Sequence, residues 1–329
     1  MTRRRVLRLG LAALSAPLLT SPWARAQTRY PERPIRLIIP FPPGGVNDAI
    51  GRPWADKMKA LLGTIVIENM GGAGGTVGAL AVARAQPDGY TLLLGSGGTQ
   101  VIIPIASSQP SYDPAKAFEP IALLGVTAVC IAVHPSVPVQ TLGELVAYAK
   151  ANPGKLSYGS AGSGTMTHLT GELLKALAGT PDIVHIPYRG AGPALTDAIS
   201  GHIPMITPNV TGQVLELNRT GKLRILAVTT LTRVPAAPEI PTAIEAGLPN
   251  MISQNFVALF APAATPKPII EQIANATRAA LSDRELQQLF HAAAFEPRPD
   301  SGPEHARRFL DEEVALWSPI IKSINLKLD

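Results

Sequence analysis

The sequence predicts a two-domain α/β protein, on three observations. Apolar runs of strand length alternate with helical patterns between residues 35 and 94, and the same alternation returns between residues 156 and 229. Such alternation is typical of mainly parallel sheets covered by helices on both faces. Residues 268–323 hold helical patterns with no strand between them. We therefore expect two α/β modules, with the C-terminal helices packed on the first module.

The predicted elements follow this rhythm in order. In the first module we expect strands at 35–39, 65–68 and 91–94, and helices at 49–62 and 77–85. In the second we expect strands at 156–158, 183–186 and 223–229, and helices at 166–178 and 192–200. The tail predicts amphipathic helices at 268–281, 283–293 and 303–323.

The first 26 residues predict an export signal. Arginines at 3–5 precede an apolar stretch at 9–19, and Ala24-Arg25-Ala26 forms a small-x-small cleavage site. The order Thr-Arg-Arg-x-Val-Leu-Arg at 2–8 resembles a twin-arginine signal, and a general secretory signal is the alternative. The apolar stretch is too short to span a bilayer, so we expect a cleaved signal rather than a membrane anchor. The small-x-small motif places the expected cleavage near Ala26.

Removal of this signal changes the charge balance. The full chain has a formal net charge of +5, and residues 1–26 hold five arginines and no acid, so the rest is neutral overall. A neutral chain with 5% aromatic residues does not favour nucleic acid as a partner. The single cysteine, Cys130, lies in an apolar run and is expected to be a small core residue.

Four turns rich in Gly, Ser and Thr follow predicted strands, at 42–48, 71–76, 95–99 and 159–165. Glycine lets backbone N–H groups approach a ligand, and a helix N-terminus adds free donors and partial positive charge. Such turns can bind an anion without a charged side chain. The alternative for each turn is a purely structural one, in which Asn47 or Asp48 only caps its helix.

Other site types lack their motifs. The chain has no G-x-x-x-x-G-K-[ST] loop, no complete G-x-G-x-x-G and no G-x-S-x-G. Its six histidines show no short metal-binding spacing, so we expect neither a metal nor a cofactor. His168, near the start of a helix, either faces a ligand or is a hydrogen-bonded core histidine.

Residues 35–52, IRLIIPFPPGGVNDAIGR, resemble the opening of the Bug family, the periplasmic solute-binding receptors of tripartite tricarboxylate transporters. The resemblance continues through VIENMGGAGGTVGALAVARAQPDGYTLLLGSGGT at 66–99, LSYGSAGSGTMTHLTGELLK at 156–175 and VHIPYRGAGPALTDAISGHI at 184–203. It covers nearly all of the chain after the export signal, and its order and spacing are specific.

The resemblance implies a type II-like periplasmic binding protein with a ligand cleft between two domains. The first domain is expected at 27–127 and 254–329 and the second at 128–253, with hinges near 126–130 and 250–256. A small carboxylate is the implied ligand, held by backbone N–H groups, hydroxyls and water. The membrane permease subunits of the transporter are the implied partners, and we expect a monomer.

The ligand-binding residues follow from the resemblance together with the turns. The helix beginning near Thr165 is expected to direct its positive end at the carboxylate. The candidates are Phe41, Gly44, Gly45, Val46, Asn47, Ser96, Thr99, Ser160, Gly162, Gly164, Thr165, His168 and Asn209.

Three positions depart from the family pattern. Pro204 and Pro208 stand where acids are common, and Phe256 stands where a tryptophan is common. Without a pocket-side acid to pair with an amino group, we predict a preference for plain carboxylates over amino acids. Asn209 either covers the site with its side-chain amide or does not reach it, and Arg189 either clamps a carboxylate or lies on the surface.

Two other functions stay open. A sensor subunit needs the same ligand-dependent closure as a transport receptor. An exported hydrolase or isomerase needs a nucleophile with a positioned base, and Ser160 or Ser163 with His168 is the candidate pairing.

Overall fold

The computed structural model describes residues 30–328, so the predicted export signal lies outside the described residues. In this part of the chain, no helix combines the length and the apolar character needed to cross a membrane. The strands, in chain order, are β1 (Ile35–Ile39), β2 (Ile65–Asn69), β3 (Thr91–Ser96), β4 (Phe118–Ala128), β5 (Cys130–Val133), β6 (Ser157–Ser160), β7 (Val184–Pro187), β8 (Met205–Ile206), β9 (Arg224–Val228), β10 (Gln254–Pro262) and β11 (Phe295–Pro297).

Helices cover both sheets that these strands form. In chain order they are α1 (Val46–Leu61), α2 (Thr76–Ala83), α3 (Ile103–Ala106), α4 (Pro114–Ala117), α5 (Leu142–Ala151), α6 (Met166–Ala178), α7 (Ala191–Ile199), α8 (Gly212–Arg219), α9 (Lys267–Leu281), α10 (Arg284–Ala292) and α11 (Pro303–Ser323). A 3-10 turn, Ala73–Gly75, precedes α2, and a π-helical turn, Gly98–Ile102, precedes α3.

The first sheet has six strands in the order β11-β4-β10-β3-β1-β2. Its buried centre follows from the apolar composition of β1, whose successive side chains point to opposite faces. Leu37 joins an apolar cluster with Trp54 of α1, whereas Ile38 joins the cluster on the other face with Ala79 and Val82 of α2. Helices on both faces therefore bury this strand apart from Arg36, which is exposed.

The second sheet has five strands in the order β7-β6-β8-β5-β9. Cys130 begins β5 and is fully buried, which confirms that it is a core residue. Burial in apolar surroundings raises the pKa of its thiol well above the usual range, so this cysteine is not suited to act as a nucleophile.

The chain passes between the sheets at two places that lie side by side. β4 leads into β5 through Val129, and the loop after β9 returns to β10 through Ser253. Thr229 joins both passages, because its N–H donates to the Val129 carbonyl at 2.9 Å and its hydroxyl lies 2.7 Å from the Ser253 carbonyl. These passages fall in the two ranges, 126–130 and 250–256, where a hinge is expected, and hinge motion there stays a prediction.

Two expectations about the elements were wrong. The sheets are mixed rather than mainly parallel, because β10 pairs antiparallel with β3 and β4, and β5 pairs antiparallel with β8 and β9. A short strand, β11, lies between α10 and α11, where no strand was expected, and it pairs with β4. The α/β class and the two-domain architecture are as predicted.

Gly171 in α6 provides a test of this packing. A Cβ at this position would overlap the buried ring of Tyr158, so we expect Gly171→Ala to lower the free energy of unfolding by about 1–3 kcal/mol. The matched control is Gly143→Ala in α5, where the nearest atom would lie 3.9 Å away, and it should gain up to about 0.5 kcal/mol. Urea unfolding measures both changes, and equal stability of the two variants would contradict the prediction.

Candidate functional site

A cavity of about 30 Å³ lies where turns from the two sheets meet. Its walls on the six-stranded side are Phe41, Gly45, Val46, Asn47, Ser96 and Asn255. Its walls on the five-stranded side are Ala161, Thr165, Met166, Thr167, Ala191 and Asn209. None of these described residues carries a charged side chain.

Three helices begin at this cavity. They are α1 after Gly45, α6 after Thr165 and α7 after Gly190. No side chain caps α1 or α7, and the Thr165 hydroxyl accepts from the N–H of His168 at 3.3 Å. In α1 the N–H of Asp48 donates back to the Gly45 carbonyl at 3.1 Å, whereas the first two N–H groups of a helix have no acceptor within it. The helix dipoles add partial positive charge. The cavity therefore suits an anion although its side chains are neutral.

Side-chain hydrogen bonds hold the α1 end of the cavity against β3. The Asn47 amide donates to the Leu94 carbonyl at 2.8 Å. The N–H of Ser96 donates to the Thr99 hydroxyl at 3.1 Å, and this hydroxyl in turn lies 3.2 Å from the Ser96 carbonyl. Thr99 thus shapes the turn, while the Ser96 side chain lines the cavity.

The one acid in the first turn of α1 is neutralised locally. Burial alone would raise the pKa of Asp48, but hydrogen bonds from Arg52 and Asn69 outweigh it and lower that pKa. The Arg52 guanidinium lies 2.8 Å from the carboxylate. Asp48 therefore stays ionised and paired, so its charge does not cancel the positive end of α1.

The structure brings seven of the predicted site residues to the cavity, namely Phe41, Gly45, Val46, Asn47, Ser96, Thr165 and Asn209. The other six candidates lie outside the cavity wall, namely Gly44, Thr99, Ser160, Gly162, Gly164 and His168. Gly44 is exposed, whereas the remaining five are buried.

Glycines in the turns allow the backbones of the two domains to touch. A Cβ at Gly74 would overlap the carbonyl oxygen of Ser163, and one at Gly98 would lie 3.0 Å from the Gly164 carbonyl oxygen. A Cβ at Gly190 would lie 3.1 Å from the ring of Pro42. The structure is therefore a closed form, in which these glycines serve the contact between domains.

The C-terminal end of the described chain packs on the same edge of the cleft. The N–H of Leu328 donates to the Ala106 carbonyl at 3.2 Å. A Cβ at Gly164 would lie 2.8 Å from Leu328 Cδ1 and would overlap Ile103. Gly164, with φ at +78°, thus leaves room for the tail that follows α11.

Ser160 and His168 belong to a polar cluster behind the α6 turn. Ser160 Oγ lies 2.7 Å from His185 Nε2, and the His168 ring stacks on the His185 ring with centroids 3.9 Å apart. His168 Nδ1 accepts from the N–H of Gly164 at 3.1 Å. The pairing of Ser160 or Ser163 with His168 is not formed, and within the described residues no carboxylate is bonded to His185.

Sequence reasoning missed five of the cavity residues, which are Ala161, Met166, Thr167, Ala191 and Asn255. Ala161 lies inside a recognised glycine turn, and Met166 and Thr167 are the first residues of the helix predicted at 166–178. Asn255 lies in the expected hinge, but no glycine marks it. Arg189, for which two roles were open, is exposed and does not line the cavity.

A larger groove has a volume of about 890 Å³. Its lining residues include Val126, Ile252 and Gln254 from the two passages between the sheets, and also Leu231 and Arg298. It shares no lining residue with the cavity at the three helix N-termini.

Two hinged α/β domains that enclose an anion-suited cavity define the class of two-domain solute-binding proteins. The sequence profile described as "Tripartite tricarboxylate transporter family receptor" matches residues 50–326. The chain belongs to this family, as its resemblance to the Bug receptors implied.

Individual relatives are similar over most of the chain. BugT of Bordetella pertussis is 33% identical over 303 residues, which cover 91% of this chain and 91% of BugT. The structure of periplasmic binding protein BugD is 34% identical, with a TM-score of 0.86 over 91% of this chain and 99% of that one.

Two solved structures were determined with a ligand. MatC from Rhodopseudomonas palustris, with bound malate, is 32% identical, with a TM-score of 0.85 over 89% of this chain and 100% of that one. A second R. palustris protein, with adipate, is 30% identical, with a TM-score of 0.86 over 91% of this chain and 99% of that one.

The stacked histidines predict how stability depends on pH. Burial, with a smaller contribution from the nearby Lys175 charge, lowers the pKa of His168 to about 4. Burial and then repulsion from the His168 ring together lower the pKa of His185 to about 3. Unfolded imidazoles titrate near 6.5, so between pH 6.5 and 4 the unfolded chain binds protons that the folded chain does not. The free energy of unfolding should therefore decrease as the pH is lowered from 6.5 to 4, and His168 should contribute about 3 kcal/mol of this decrease.

Urea unfolding between pH 7.5 and 4.5 checks this dependence against His168→Asn. Asparagine can still accept from the N–H of Gly164 but does not titrate, so its pH dependence should be weaker. Identical pH profiles for the two proteins would refute the assignment.

Proposed function

We propose that this protein captures a small carboxylate in its interdomain cleft and delivers it to the permease of a tripartite tricarboxylate-type transporter. The observation that carries the proposal is the convergence of three helix N-termini on a cavity lined by neutral side chains. The malate and adipate bound by two relatives support a carboxylate as the ligand class.

The first turns of α1, α6 and α7 are the proposed carboxylate donors. Val46 and Asn47, the first residues of α1, and Met166 and Thr167, the first residues of α6, line the cavity from its two sides. A carboxylate between them accepts from both domains at once and is stabilised by the helix dipoles. Because donors from both sides meet one ligand, binding favours the closed cleft over the open one.

The closed cleft described here is narrower than a complex with a dicarboxylate needs. A cavity of about 30 Å³ has room for roughly two water molecules. Binding therefore requires the domains to separate and to close again around the ligand. We place this motion at the paired hinge passages, with domain boundaries at 127/128 and 253/254.

Export and delivery complete the proposal. The signal at 1–26 directs the chain to the periplasm, where the closed, loaded form presents the cleft rim to the permease. The neutral wall also favours plain carboxylates over amino acids, because no acid among the lining residues can pair with an ammonium group.

A ligand panel tests the proposed class. Thermal unfolding of residues 27–329 should respond to some mono-, di- or tricarboxylates, and a ligand at about 100 times its Kd adds roughly 2.7 kcal/mol of stability. The ligand should be recovered chemically unchanged. A shift caused by sugars or phosphates alone, or no shift with any carboxylate, would refute the proposal.

Closure itself is tested at Gly74. An alanine there overlaps Ser163 only when the cleft is closed, so Gly74→Ala should weaken carboxylate binding about tenfold or more, measured by calorimetry. Gly179→Ala is the matched control, because the φ of Gly179, +63°, is nearly the same as the φ of Gly74, +64°. Both alanines therefore meet similar backbone strain, but no atom lies within 4 Å of the Cβ added at Gly179. Equal affinities of the two variants would argue against closure at these glycines.

A further inference from the structure

Two asparagines meet at the cavity across the boundary between the sheets. Asn255 lies on β10, and Asn209 lies on the segment that follows β8. The Asn255 amide donates from Nδ2 to Asn209 Oδ1 at 3.1 Å. Both side chains are buried and both line the cavity.

The orientation of the Asn255 amide is determined by two backbone donors. Its Oδ1 accepts from the N–H of Phe256 at 3.0 Å and from the N–H of Gly97 at 3.4 Å. Only an oxygen can accept two N–H groups, so this amide cannot be turned around. Its Nδ2, which can only donate, is therefore directed at Asn209.

Asn209 is held in place by the hinge strand. The N–H of Val210 donates to the Ala128 carbonyl at 2.8 Å, and the N–H of Cys130 donates to the Pro208 carbonyl at 3.0 Å. Because Asn209 Oδ1 must meet the Asn255 donor, its Nδ2 is turned away from Asn255. This Nδ2 has no partner among residues 30–328 and is not one of their enclosed, unpaired polar atoms, so it remains accessible at the cavity.

The other polar side chains on the five-stranded side of the cavity, Thr165 and Thr167, already donate their hydroxyl hydrogens to protein acceptors. The Thr165 hydroxyl donates to the Gly162 carbonyl at 2.7 Å. Because its hydrogen is used there, the Thr167 hydroxyl, 2.8 Å from the Thr165 oxygen, donates to that oxygen. The Thr167 oxygen also accepts from the N–H of Ala161 at 2.9 Å. Among the described lining residues on this side, Asn209 Nδ2 is the side-chain donor left for a ligand.

We infer that Asn255 is a specificity-determining positioning residue, which fixes Asn209 as a hydrogen-bond donor and so selects ligands with an acceptor oxygen at this end. The inference rests on the proposed function, since it concerns the same cavity. A second carboxylate meets Asn209 Nδ2 in a charge-assisted hydrogen bond. A terminal ammonium group finds no acceptor there.

The variant Asn255→Asp reverses the direction of the hydrogen bond between residues 255 and 209. One aspartate oxygen still accepts from Phe256 and Gly97, but the other now accepts from Asn209. The Asn209 amide must then turn, so that Oδ1 faces the cavity. A terminal carboxylate of the ligand would then face Asn209 Oδ1, to which it cannot donate a hydrogen bond. A terminal amide of the ligand could donate an N–H to that same oxygen.

The test compares adipate and malate with their monoamides, by calorimetry, in the wild-type protein and in Asn255→Asp. Wild type should bind the diacid about tenfold more tightly than the monoamide, and Asn255→Asp should lose or invert this ratio. The substitution is repeated in an Asn209→Ala background, which distinguishes the effect of the added aspartate charge from the effect of turning the Asn209 amide. Without the Asn209 amide, Asn255→Asp should leave the ratio unchanged within about twofold.

Each outcome decides a different point. An equal effect of Asn255→Asp with and without Asn209 would mean that charge alone acts, and it would overturn the inference while leaving the proposed function intact. If Asn255→Asp does not fold, Asn209→Ala alone decides, because it should reduce the diacid preference to about one. A wild-type protein that binds a diacid and its monoamide equally tightly would overturn the inference and leave the proposed function intact, whereas a protein that responds to no carboxylate of the thermal panel would overturn both.

Discussion

Backbone hydrogen bonding at the hinge is the constraint on which the site depends. Thr229 joins the two chain passages by bonding to Val129 and Ser253, so the two sheets meet through paired backbone rather than through free linkers. The hinge thereby sets which turns face each other across the cleft. It also places Asn209 beside Asn255, although Asn255 lies on β10 of the six-stranded sheet and Asn209 follows β8 of the other sheet. Both the cavity and its asparagine pair are therefore products of the hinge geometry.

A cavity that suits an anion without a charged side chain is compatible with the proposed opening and closing of the cleft. Burying an unpaired arginine or lysine on each closure would carry a large desolvation cost, whereas helix N–H groups carry only partial charges. The ionised Asp48 is already paired with Arg52, so it makes no such demand. Release of a carboxylate from such a site would be correspondingly easier, because no strong ion pair would have to be broken.

The sequence predicted the parts of the fold that have a local signal. The alternation through β1, α1, β2, α2 and β3 follows from apolar periodicity and glycine turns. The antiparallel strands β4 and β10 were missed because both of their faces are buried and they carry no periodicity. The glycine turns correctly predicted residues that line the cavity between the two sheets, while their role in ligand binding stays a prediction. They did not distinguish glycines beside the cavity from Gly74 and Gly98, which touch the opposite domain, because that division depends on residues far away in the chain.

The position of the C-terminal tail matters for anyone who attaches a label to this protein. Leu328 packs beside Gly164 at the edge of the cleft, whereas Tyr30 is bonded to Gly89 and Gln272 on the first domain alone. A fluorophore attached at Leu328 lies at the edge of the cleft, where it would report the proposed opening and would also obstruct closing. A label attached at Tyr30 stays on the first domain, so these two positions offer a reporter and a neutral handle.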